Sequence, residues 1–271
     1  GRVLIVDPGR YTYSEAVDPA DGVNWRVCFR GTAVHNTVSV DGANQTAYLP
    51  RMGYDASRHA YGSVRHKISG PAARARTLEC FSDATLDLVH GRVESPVYDA
   101  IHERCIVFVD RCYWIVSDWL RAPSVHDYSL NFQLASGAEG DVRIEPDSRL
   151  RVDSPGLLIV PAPARDLHLE VVSSWVSSRY GEKARAPAVR LRRSGGDIDF
   201  DTVLFPYASH KPMVCVRRIV DAASGMPVLR IDVELAGERF IDHWIHRRSL
   251  VASDVRVGPF WFSGRWLHWR T

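Results

Sequence analysis

Short runs of β-branched and aromatic residues recur along the whole chain, and Gly, Pro, Asp or Ser breaks each of them within a few positions. This punctuation constrains the fold more than any other feature. Cys105-Ile106-Val107-Phe108-Val109 and the run from Cys112 to Leu120 flank Asp110-Arg111, the pattern of a hairpin. Further strands are expected at 35–40, 63–68, 76–81, 126–134, 141–144, 157–160, 167–172, 202–205, 213–219, 228–235, 240–246 and 254–257. No window of helical length carries a sustained i, i+3, i+4, i+7 apolar pattern. Many short strands without intervening helices predict an all-β fold, a large antiparallel two-sheet β-sandwich. No linker, repeat or low-complexity tract divides the 271 residues, so residues 1–271 are expected to form one domain. The longest irregular piece is expected at 173–187.

Hydrophobic residues make up 45% of the chain, enough for a substantial core. A formal net charge of +2 gives no support for a nucleic-acid partner or an anionic membrane surface. No apolar run approaches the ~20 residues of a membrane span. Lys occurs only at 67, 183 and 211, so nearly all of the 34 basic residues are Arg. Arg pairs carboxylates bidentately and suits an acidic glycan, although a bias in genome base composition accounts for the ratio at least as well. Cys28, Cys80, Cys105, Cys112 and Cys215 are odd in number and form no C-x-x-C, which excludes a zinc ribbon and a thioredoxin-like motif. A two-residue turn at Asp110-Arg111 pairs Val109 with Cys112 and sets Cys105 opposite Val116, so free thiols are expected.

The most specific segment is the first. A strand-like Val3-Leu4-Ile5-Val6 ends in Asp7-Pro8-Gly9, followed by Tyr11-Thr12-Tyr13 and an acidic loop. A second strand-like stretch starts at Trp25 and continues through Arg30-Gly31-Thr32, His35-Asn36-Thr37 and Asp41-Gly42 to Gln45. This order, D-x-G, Y-x-Y, then R-x-T-x-x-H-N-T-V-x-V-D-G-x-x-Q, resembles the C-terminal domain of the heparinase II/III-like polysaccharide lyases. Tyr180-Gly181 with Pro187, Arg104 with Asp118, and Leu204-Phe205-Pro206 resemble later elements of that family. The chain opens in mid-strand without an initiator Met, so it is expected to be the back part of a longer enzyme.

The resemblance implies that Asp7 and His35 bind zinc, which takes imidazole nitrogen and carboxylate oxygen with at least three protein ligands. The third ligand would come from an H-x-H-x-D segment upstream of Gly1. Taken singly, Asp7 also reads as an ordinary turn residue and His35 as a hydrogen-bonded side chain. The other histidines are expected to bind no metal; His243 and His246, three apart on one strand, point to opposite faces. The resemblance further implies β-elimination across a uronic-acid linkage, with an acidic polysaccharide as partner and a periplasmic or secreted bacterial location. Its proton-transfer groups would sit mostly in an N-terminal α/α toroid of the same protein. Within this chain Tyr13 and Arg30 are the candidates to touch substrate. Their alternatives are a packed core tyrosine and an arginine fixing the acidic loop 15–21. The aromatic tail with Trp261, Trp266 and Trp269 reads either as a sugar platform or as a last strand packed on the sheet. A rival to the lyase reading is a non-catalytic carbohydrate-binding or scaffolding sandwich.

Overall fold

A computed structural model of the chain describes residues 3–14, 16–48, 70–138, 142–145, 150–152, 156–247 and 254–271. The strand expected at 63–68 lies outside the described residues. Strands account for 59% of the structure, with one short helix and no sheet closed into a barrel among the described residues. Sheet A runs in the order β1 (Val38–Val40), β6 (His126–Gln133), β11 (Glu182–Gly195) and β10 (His168–Arg179). Sheet B has eight strands: β2 (Arg74–Ser82), β3 (Leu86–Glu94), β4 (Ile101–Val109), β5 (Tyr113–Arg121), β12 (Ile198–Tyr207), β9 (Gly156–Pro161), β8 (Leu150–Val152) and β7 (Val142–Ile144). Sheet C runs β13 (Met213–Val220), β14 (Pro227–Leu235), β15 (Glu238–His246) and β18 (Trp266–Arg270). A small ribbon pairs β16 (Val255–Val257) with β17 (Phe260–Phe262).

Sheet B is the middle layer. One of its faces packs Val116, Leu120, Ile159 and Phe200 against Val38, Tyr128, Leu130 and Leu191 of sheet A. The other packs Leu88, Val107, Ile115 and Phe205 against Val216, Ile231, Val233 and Trp244 of sheet C. Each such aliphatic or aromatic side chain contributes about 1.5–3 kcal/mol of burial. Coverage on both faces removes the polar–apolar alternation of the central strands, and β9 is buried throughout. The sandwich therefore carries a third sheet. Tyr113 of β5 ties that sheet on by donating to Asp242 of β15 at 2.5 Å, while Arg270 forks onto the same carboxylate at 2.8 and 2.7 Å. Burial alone would raise the Asp242 carboxyl, but His268, Arg270 and Tyr113 outweigh it and hold it at about 2.

Several local expectations are corrected. Residues 25–30 form a helix, α1 (Trp25–Arg30), not a strand. Asn24 caps it by accepting from the Val27 N–H, and Trp25 and Phe29, four apart, bury one face of it. His35 opens no long strand; it ends a 3-10 turn over Thr32–Val34, and β1 starts at Val38. The Val3–Val6 run makes a single bridge, Ile5 to Leu134. Residues 173–187 are not irregular but belong to the longest hairpin, β10–β11, which turns at Gly181 with φ +79°. Its strands carry Ser, Arg and Ala in place of a β-branched run, so the apolar pattern is weak. The β4–β5 register is one residue off the expectation. Asp110 and Arg111 both have positive φ and Cys112 is an extra loop residue, so Val109 faces Tyr113 and Cys105 faces Ser117. All five cysteines are free.

At the start of β6, His126 bridges Asp41 at 2.6 Å and Asp99 at 2.5 Å. Burial pulls its pKa down, but the two carboxylates outweigh burial and raise it. A raised histidine stabilises the fold below its unfolded pKa, near 6.5, and loses that contribution as pH rises through the folded value. The melting-temperature gap between the parent chain and His126→Gln should therefore be widest below the unfolded value of about 6.5 and narrow as pH rises above it. A gap that widens with pH would contradict this bridge.

Candidate functional site

Asp7, Tyr13, Arg30 and His35 line one groove of about 820 Å³ together with Arg10, Arg26, Tyr48, Arg179 and Tyr180. The Asp7 carboxylate is held from two sides. One oxygen accepts the Gly9 N–H at 2.9 Å, and the other meets His35 Nδ1 at 2.7 Å. Pro8 and Tyr11 dock by backbone on the β10–β11 turn, where Ser177 N–H donates to the Pro8 carbonyl and Gly181 N–H to that of Tyr11. Gly9 has φ +82°, and a Cβ there would stand 2.1 Å from the Ser177 carbonyl oxygen. Only glycine fits this approach.

His35 is placed by its neighbours in sequence. Asn36 donates from its side chain to the Val6 carbonyl at 2.8 Å and accepts from Gln133 N–H at 2.7 Å. It thereby joins the segment before Asp7 to the end of β6. The Asn36 carbonyl in turn accepts from Arg104, whose guanidinium also grips the fully buried Asp118 carboxylate beside His102. Burial would raise the Asp118 carboxyl, but Arg104 and His102 hold it below its ordinary value. Thr32 and Gln45 close the same loop through Gln45 N–H to Thr32 Oγ1 at 2.9 Å. These are structural tasks for the matched motif residues. The sequence marked Asn36, Arg104 and Asp118 only as part of a pattern, without a role.

Tyr13 is 55% exposed and is not a core residue. Its ring stacks on Tyr180 at 5.6 Å, with the guanidinium of Arg10 at 4.7 Å and that of Arg26 at 5.4 Å from it. Arg30 lies over Tyr48 at 4.0 Å. The acidic loop is met by Lys183, 3.9 Å from Asp18 and 3.7 Å from Asp21, which also sits on the Trp25 ring at 3.8 Å. The groove thus pairs aromatic faces with four arginines, a lining suited to the flat side and the acidic groups of a charged sugar. In the tail, Trp266 and Trp269 pack in the last strand of sheet C, while Trp261 is 73% exposed.

The sequence from Gly1 to residue 213 matches the family described as heparinase II/III-like, C-terminal. The chain belongs to this family. Sheet C, starting at Met213, lies past nearly all of the matched residues. Among solved structures it is similar to the heparan sulfate lyase HepC of Pedobacter heparinus, with 18% identity and a TM-score of 0.65, covering 88% of this chain and 34% of that one. A heparinase III structure shows 15% identity and a TM-score of 0.62, covering 89% and 33%. The chain therefore spans about a third of these solved relatives, and at such identities the likeness carries the fold alone. No curated protein matches the chain.

A second group of ligand-type side chains lies outside the groove. Glu79, His90 and His246 bring one ligand atom each to within 4.8 Å of one another, a possible metal site. Burial lowers the pKa of His90, and it pushes His246 down to about 4, so both imidazoles are neutral at pH 7.

Proposed function

We propose that this chain is the C-terminal domain of a longer polysaccharide lyase that cleaves a uronic-acid-containing polysaccharide by β-elimination. In this reading it supplies a zinc-supported wall of the substrate cleft. The observation that carries it is the convergence of Asp7, His35, Tyr13 and Arg30 on one arginine-rich groove in a chain of this family. β-Elimination removes the proton at C5 of the uronate and expels O4, so the site must neutralise the carboxylate, accept one proton and deliver another. In this reading Arg30, Arg10 and Arg26 pair sugar carboxylates or sulfates and the Tyr13–Tyr180 stack meets a ring face, which their shared lining of the groove supports. The proton-transfer groups belong, in this reading, to the N-terminal toroid, and the protein acts outside the cytoplasm.

Asp7 and His35 suit a zinc ligand set. Two bonds of about 2.0–2.1 Å at a tetrahedral angle set nitrogen and oxygen about 3.3 Å apart. The pair, 2.7 Å apart, need open by only about half an ångström. Zinc here would hold the Asp7 turn and the His35 loop together at the cleft edge, and a third ligand would come from the segment preceding the chain.

Product formation by ultraviolet absorbance of unsaturated ends tests the reading on alginate, heparan sulfate and a glucuronate-rich exopolysaccharide. The longer protein should cleave at least one of them, while the 271-residue chain should cleave none. His35→Ala in the longer protein should remove about one zinc and most of the activity. Activity of the isolated chain would move the catalytic groups into this groove. Sugar binding by a longer protein that never cleaves would establish the non-catalytic sandwich instead.

A further inference from the structure

The Glu79–His90–His246 group sits at the interface of sheets B and C, where several of its polar atoms make no hydrogen bond among the described residues. His90 is only 2% exposed. Neither ring nitrogen of His90, neither ring nitrogen of His246, nor Oε2 of Glu79 makes a hydrogen bond there. Each unsatisfied buried polar atom costs about 1–3 kcal/mol, and folded proteins rarely leave several together without an ion or water. Glu103 Oε2 lies at ion-pair distance from His90 Nε2, 3.4 Å, and Arg265 stands 3.8 Å from Glu79 Oε2 at the partly exposed rim.

The backbone builds this convergence. Glu79 and His90 are direct cross-strand partners of β2 and β3. A β-bulge between Thr77 and Glu79 breaks the alternation of β2, so the consecutive residues Leu78 and Glu79 both turn inward. His90 continues the inward row of Leu86 and Leu88 that faces sheet C. His246 ends β15 in that facing sheet and stacks on Trp119 at 4.7 Å, which fixes its ring. Trp266 donates to Glu79 Oε1 at 3.1 Å, so the carboxylate is oriented with its second oxygen left over. Outer partners of this kind hold the direct ligands in place around metals.

We propose that Glu79, His90 and His246 bind a divalent first-row transition ion, zinc being the reference, that pins the edge strands β2 and β3 to sheet C. Two neutral imidazoles and one carboxylate are the donor set of a three-ligand zinc site, and imidazole disfavours calcium and magnesium. Ligand atoms within 4.8 Å need to close by about 1.5 Å to reach tetrahedral spacing, a movement of side-chain tips. This site is separate from the groove, shares no residue with it, and takes His246 from beyond the matched family region.

Zinc and cobalt(II) binding to the 271-residue chain tests the proposal, with His35→Ala as the background that disables the groove pair. After dialysis against zinc, the His35→Ala chain should retain about one equivalent by elemental analysis. Cobalt(II) should give it the visible spectrum of a four- or five-coordinate site. Adding Glu79→Gln, which keeps the size and the Trp266 hydrogen bond, should weaken zinc at least about tenfold, and adding His246→Ala should abolish the cobalt spectrum. Circular dichroism of the Glu79→Gln protein in chelator should match its parent, so that lost binding is not lost folding. Absence of zinc from the His35→Ala chain, or retention undiminished by both further substitutions, would overturn the proposal.

Discussion

Arg104→Ala should be among the most destabilising single substitutions in this chain, lowering stability by about 3 kcal/mol. Asp118 is completely buried, and Arg104 gives it two of its three charged hydrogen bonds, at 2.6 and 3.2 Å. Removing the guanidinium leaves a carboxylate in the core with only His102, at 2.5 Å, to offset its desolvation. Breaking such a pair costs about 3–5 kcal/mol, and the low end applies because Arg104 is itself one-fifth exposed. For a domain of this size that is a fall in melting temperature of roughly 6–12 °C. The pH dependence has a definite sign. Asp118 has a depressed pKa, so its contribution is present above the ordinary carboxylate range and disappears as pH falls through the folded value. The gap between parent and Arg104→Ala should accordingly be widest near neutrality and narrow in acid. Arg104→Lys keeps the charge but loses the fork and should fall between them. Calorimetric scans across pH decide the matter; a gap that grows toward acid would show that Asp118 is not the group left exposed to the change.

The same arginine explains how much could be read in advance. The all-β class was legible because Gly, Pro, Asp and Ser interrupt β-branched runs such as Cys105–Val109, and this local chemistry survives in the structure. The strand expected at 167–172 falls in β10, but residues 173–187 of this hairpin escaped because they are rich in Ser, Arg and Ala whose strand character comes from their neighbours rather than from propensity. Helix α1 escaped for a related reason. Six residues with Trp25 and Phe29 on one face are too few to show a sustained helical period. The groove residues Asp7 and His35 were visible through their motif, whereas Glu79 and His90 belong to no motif and His246 lies far along the chain from both. Their meeting depends on a bulge in one strand and on the packing of a third sheet. No spacing rule records either.

Gly9→Ala should separate the groove from the stability of the fold. At φ +82° an alanine is strained by about 1–2 kcal/mol, and its Cβ would lie 2.1 Å from the Ser177 carbonyl oxygen. A backbone oxygen in a paired hairpin cannot turn aside as a flexible side chain can, so one of the two segments must move. The segment before Gly9 is held by a few backbone bonds, from Ala135 N–H to Leu4, from Val6 N–H to Gln133, and from Ser177 N–H to Pro8. The β10–β11 hairpin is held along its whole length and by β6. The early segment should yield, carrying Asp7 away from His35 and opening the 2.7 Å contact between them. Melting of the sandwich should then shift by only a few degrees, because the three-sheet core contains little of this segment. Under the proposed function, zinc affinity of the longer protein should fall by at least about tenfold, as should its affinity for an acidic oligosaccharide. Amide exchange should show the Ser177 N–H losing its protection while the interior of β12 keeps its own. A Gly9→Ala protein with undiminished zinc and glycan affinity would mean that the Asp7 turn does not set the geometry of the groove.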